Sequence, residues 1–113
     1  MDWLGVLRSW LIGPDLDAIA EQVAGQIRTD VWRRVEHRVR GLRLAEARGY
    51  VRVKTAHVVR RAVADAADAT AISGTRRIDL EHMVTEAVLR QAVVDLINAR
   101  QLESEAVPLR AAA

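Results

Sequence analysis

Apolar side chains recur every three or four residues through most of this 113-residue chain. From residue 16 onward Leu16, Ala20, Val23, Ile27, Val31, Val35, Val39 and Leu42 fall on one side of a helix, while Arg33, Arg34, His37 and Arg40 fall opposite at about 100° per residue. Pro14, Asp15 and Asp17 suit a first turn, so the pattern predicts a helix from there to about Arg48, weakened at Gly41. Tyr50 to Lys54 then reads as an extended bridge. Thr55 is a plausible cap for an alanine-rich second helix to Ser73, along which neighbours can approach closely. Asp79 is a plausible cap for a third helix to about Leu102. That helix carries two apolar stripes, one at Leu80, Val84, Ala87 and Val94 and one at Leu89, Val93 and Leu96. Upstream, Trp3, Leu7 and Trp10 share a face of a nearly uncharged segment that Gly13-Pro14 interrupts.

The middle of the chain repeats itself. Residues 49–63 and 74–88 align Gly49 with Gly74, Arg52 with Arg77, Val53 with Ile78, His57 with His82, Val59 with Val84, Ala62 with Ala87 and Val63 with Val88. Both copies fit one plan, in which a glycine closes a helix, a short Arg-Val or Arg-Ile piece crosses over, and a new helix begins. The expected organisation is an N-terminal apolar segment (1–13), a helical domain holding the repeat (14–102) and a flexible tail (103–113).

A helix, an Arg-Val bridge, a central helix, a Gly-Thr-Arg-Arg-Ile bridge and a third helix together resemble the histone fold over residues 30–100. Strong helix formers dominate every long segment, so the chain reads as all-α, a long first helix plus two shorter helices joined by short extended bridges; the resemblance implies that the bridges pair across a dimer. The central helix here is shorter than a histone's and the first is longer. The stretch from Glu46 to Ala62 is also similar to the small C-terminal helical domain of the light-independent protochlorophyllide reductase B subunit, whose Ala-Arg-x-x-Gly precedes Val-Thr and an apolar helix. This chain lacks that domain's earlier proline and has no cysteine to hold a cluster.

Charge sharpens the reading. Net charge is +2, but residues 1–27 carry −3, residues 28–61 carry +8 and residues 62–113 carry −3. A basic middle between acidic flanks suits a polyanion or the acidic part of a second copy. Arginine outnumbers lysine sixteen to one, and its planar fork favours phosphate and carboxylate. Candidate nucleic-acid contacts are Arg33, Arg34, Arg40, Arg43, Arg52, Lys54, Arg76 and Arg77. The competing reading of such a face is simple solvation. With no aromatic interleaved, single-strand stacking is not expected.

Candidate partner-binding residues are Trp3, Leu7, Trp10 and Leu11 in the N-terminal segment and Leu89, Val93 and Leu96 on the third helix. The alternative for the tryptophan face is packing on the chain's own bundle. Asp79, His82 and Glu86 share a helix face, but one helix supplies too few ligands for zinc, so no metal is expected. Adjacent Glu36-His37 and Glu81-His82 diverge on a helix and cannot converge as acid and base. With no phosphate loop, nucleophile elbow or paired carboxylates, the reading is a non-enzyme without cofactor. No apolar run approaches a membrane span and no signal peptide is visible, which with the absence of cysteine suits a cytoplasmic homo-oligomer, a dimer in the simplest case.

Overall fold

The computed structural model describes residues 15–112, and their side chains as far as Glu105. The described chain is all-α, with four helices: α1 (Leu16–Val39), α2 (Leu44–Lys54), α3 (Ala56–Thr70) and α4 (Thr75–Ala112). The expected N-terminal helix, with Trp3, Leu7, Trp10 and Leu11, lies outside the described residues.

α1 begins where its sequence says it should. The Asp15 carboxylate accepts from the backbone N–H groups of Asp17 and Ala18 at 3.1 and 3.4 Å, satisfying two of the donors a helix start leaves open. Ala20, Val23, Val31, Val35 and Val39 are buried, as their spacing requires. The helix expected to reach Arg48 stops at Val39, however, and a turn at residues 40–43 redirects the chain. There Leu42 donates its N–H to the Val39 carbonyl at 3.0 Å.

Neither extended bridge is present. Residues 50–54 belong to α2, and Thr75–Ile78 form the first turn of α4. The physical reason is burial: Ala47, Val51, Thr55, Val59, Val63 and Ala67, spaced four residues apart, are all at most 3% exposed. The residues midway between them, Gly49, Val53, His57, Arg61 and Asp65, are exposed; a strand would put these on the same face as the row, whereas a helix puts them opposite, and tertiary packing overrides the extended preference of Val51 and Val53. A row spaced by four drifts about 40° around a helix at each step. The interruption at Thr55 (φ −107°, ψ 5°) takes up part of that rotation. The Thr55 hydroxyl donates to the Val51 carbonyl at 2.6 Å, the back-bonding that commonly bends helices.

α3 ends at Thr70 rather than Ser73. Ala71 adopts the left-handed conformation (φ 57°, ψ 34°), and the Ile72 N–H reaches back to the Ala67 carbonyl at 2.9 Å. Buried Ile72 and Ala67 complete this Schellman-type ending. Gly74, with φ 65°, lies beyond that stop and leads into α4. Its repeat partner Gly49 sits inside α2 with no left-handed backbone. The two copies differ in layout, the first broken at Thr55 and the second continuous from Thr75, though Val59 and Val84, and Val63 and Val88, are all buried and His57 and His82 are both exposed.

Asp79 lies within α4 rather than capping it, and this expected shorter helix is the longest, at 38 residues. Its length is about 57 Å at 1.5 Å per residue. Residues 103–112, expected as a loose tail, continue the helix. α1 and α4 run side by side in the same direction, because Glu21, Arg28 and Arg40 meet Arg90, Asp95 and Glu103 in order. The α2–α3 unit runs against α4, since Arg52 and Arg60 meet Glu86 and Glu81 in reverse order. The core lies between these three rods. Leu80, Val84, Leu89 and Leu96 of α4 are at most 1% exposed.

Candidate functional site

Most of the arginines expected to meet phosphate meet carboxylates of this chain instead. Arg34 donates to Asp30 one turn away, and Arg40 reaches Glu103 at 2.5 Å and Glu36 at 3.7 Å. Arg43 stands 4.0 Å from Glu46. Arg52 and Arg48 share Glu86 at 3.3 and 3.7 Å. Arg76 is partly buried and also engaged. Among the described residues, Arg33, Arg38, Lys54, Arg61 and Arg77 are exposed and form no ion pair. Arg38 was not among the expected contacts. Its neighbour His37, also exposed, lies between it and Arg33 on the solvent side of α1.

Long-range pairs tie α4 to the rest of the molecule. The Arg28 guanidinium grips Asp95 with both oxygens, Nη2 to Oδ1 at 2.6 Å and Nε to Oδ2 at 3.1 Å. That hydrogen bonding holds Arg28 above its usual pKa, against an opposing pull from burial. Arg90 holds Glu21 at 2.6 Å, and Arg100 donates to the Leu42 carbonyl in the turn after α1. The basic middle segment is thus largely the means by which its own acidic flank is docked.

A recess of about 200 Å³ lies where α2 and α3 meet α4, lined by Arg52, Thr55, Arg60, Glu81, His82 and Glu86. Its charges neutralise one another, with Arg60 on Glu81 at 3.6 Å and Arg52 on Glu86. Among the described residues no three His, Asp or Glu side chains converge on a common point to hold a metal. None of the described helices is long and apolar enough to cross a membrane.

The third-helix partner residues need correction. Leu89 and Leu96 are each 1% exposed and belong to the core, with Val93 partly buried beside them. α4 is flanked by α1 on one side and α2–α3 on the other, so it needs a wide apolar arc for its own fold. The large aliphatics of α4 that do face solvent are Ile78 at its start, at 57%, and Val94, Ile97 and Leu102 farther along, at 47%, 46% and 68% exposure. The sequence pattern groups Val94 with Leu80, Val84 and Ala87, which are buried. The signal against that grouping is Gln91, the polar residue standing where the stripe should continue. From there the core face shifts to Ala92 and Leu96.

Five exposed positions from 94 to 102, namely Val94, Ile97, Asn98, Gln101 and Leu102, share one side of α4 and carry no charge. The charged residues in that stretch, Asp95 and Arg100, turn inward to Arg28 and to the Leu42 carbonyl. Comparison of the chain with protein-family models, curated proteins and solved structures found no match.

Proposed function

We propose that this chain is a non-catalytic helical assembly module that pairs with a second copy of itself through the outer side of α4. The supporting observation is the uncharged strip Val94–Leu102, three of whose side chains are large aliphatics at 46–68% exposure. Depletion of charge and exposure of aliphatics are what the centre of a protein interface requires. A two-fold pairing brings the same strip from both copies together, so one patch suffices. The arginines that would compete as a polyanion surface are mostly committed to internal carboxylates.

Salt tests this reading against a charge-driven one. At about 1 M salt the Debye length falls to about 3 Å and exposed charge attraction is screened, whereas apolar burial persists. A dimer that persists from low to high salt supports the α4 strip. One that dissolves as salt rises points to the acidic and basic segments instead, and a monomer throughout overturns self-assembly.

Nucleic-acid binding is the second reading, favoured by the unpaired Arg33 and Arg38 on the exposed side of α1. Duplex binding at low salt that weakens in Arg33→Ala/Arg38→Ala is its test.

A further inference from the structure

We propose that two copies pair with their α4 helices antiparallel, each copy's Arg90 meeting the other's Glu105. This direction rests on the pairing of copies through the outer side of α4 and adds its register. The strip consists of two rows, each spaced by four: Val94, Asn98 and Leu102, and beside it Ile97 and Gln101. Residues four apart share a helix face. Arg90 continues the first row toward the start of α4, and Glu105 continues the second toward its end. An uncharged strip is thus closed by a cation at one end and an anion at the other. The charges between them turn away, Asp95 to Arg28, Arg100 to the Leu42 carbonyl and Glu103 to Arg40.

Both end groups have capacity for a partner. Arg90 commits Nη2 to Glu21 at 2.6 Å, yet its side chain is 63% exposed and a guanidinium carries five donors. Glu105 is exposed and, among the described residues, forms no ion pair. Setting Arg90 against Glu105 in an antiparallel pair puts Val94 level with Gln101 and Ile97 level with Asn98. The two Ile97 side chains then meet beside the two-fold axis, and Leu102 comes level with the partly buried Val93. Two-fold symmetry makes the Arg90–Glu105 contact twice. A parallel pair would instead set Arg90 beside Arg90 and Glu105 beside Glu105, where like charges repel.

The test uses the full chain, which has no cysteine, so Ser104→Cys, an exposed position beside the strip, carries one nitroxide per copy. In antiparallel copies residue 104 lies level with residue 91, which holds the two labels about 20 Å apart along α4. Parallel copies hold them side by side at about 10 Å. Electron paramagnetic resonance, at a concentration where sedimentation shows the dimer, should give the longer distance. The shorter one overturns the antiparallel direction and leaves pairing through α4 in place; a monomer mass, or a separation far beyond 20 Å, overturns both. Charge reversal reads the register. At low salt, where exposed charges are least screened, Arg90→Glu and Glu105→Arg should each raise the dimer Kd about tenfold, since two contacts are reversed. The double variant should return it to within about threefold of the parent. A double variant as weak as the singles overturns the Arg90–Glu105 contact, because the loss of Glu21 from Arg90 cannot be rescued by a change at residue 105.

Discussion

Arg28 and Asp95, 67 positions apart, form a two-point clamp between α1 and α4, with both guanidinium contacts made to one carboxylate. The clamp sets the relative height of the two parallel helices, since Arg90–Glu21 and Arg40–Glu103 lie below and above it. Arg28 is 42% and Asp95 20% exposed, so screening limits its worth. A double-mutant cycle with Arg28→Ala and Asp95→Ala is expected to show a coupling of about 1 kcal/mol in chemical denaturation. The guanidinium pKa is raised, so this contribution is complete below the ordinary arginine pKa and is lost only as pH rises through the higher folded value. Stability should therefore show no titration from Arg28 at neutral pH; a step there traceable to the pair would contradict the assignment.

Leu89 and Ile97 separate core from surface on the same helix. Leu89→Ala should cost about 2–5 kcal/mol, because a side chain 1% exposed leaves a cavity when it is shortened. Ile97→Ala, at 46% exposure, should stay within about 1 kcal/mol in the isolated chain. Equal losses would mean that Ile97 is covered within the monomer.

The two glycines of the repeat should respond in opposite directions. Gly49 is exposed inside α2 with nothing near an added Cβ, so Gly49→Ala should stabilise by about 0.5–1 kcal/mol. Gly74 has φ 65°, so Gly74→Ala should destabilise by about 1 kcal/mol. Ala71 already bears a side chain in left-handed backbone, and Ala71→Gly should recover about 0.5–1 kcal/mol. Thermal melts of the three variants check the signs.

Helix content and the buried face of α1 were legible because a period near 3.6 and an aspartate cap are local signals. The breaks were not. Tyr50, Val51 and Val53 look extended on propensity, and Gly49 looks like a helix end, yet the row Ala47, Val51, Thr55, Val59, Val63 and Ala67 was present in the sequence and outweighs them. The Schellman ending at Ala71 had no glycine to announce it, and the nearby Gly74 drew the boundary three residues late. Which arginines are free depends on which carboxylates the fold brings opposite them: Glu86 is 34 positions from Arg52, and Glu103 is 63 from Arg40. No linear pattern encodes those meetings.

For the nucleic-acid reading, Arg33→Ala/Arg38→Ala should flatten the log–log salt dependence of duplex binding by about 1.8, or 0.9 for each lost phosphate contact. Arg52→Ala/Arg77→Ala should act on one contact only, since Arg52 holds Glu86. A parent that binds no duplex at low salt removes this reading.

The pairing of copies through α4 is tested most directly by sedimentation equilibrium of the full chain beside Val94→Asp/Ile97→Asp at matched micromolar concentrations. The parent should sediment at twice its 12.6 kDa chain mass, and the variant at the single-chain mass with unchanged helix content. A monomeric parent across the concentration range, or a variant that dimerises as well as the parent, would contradict the account.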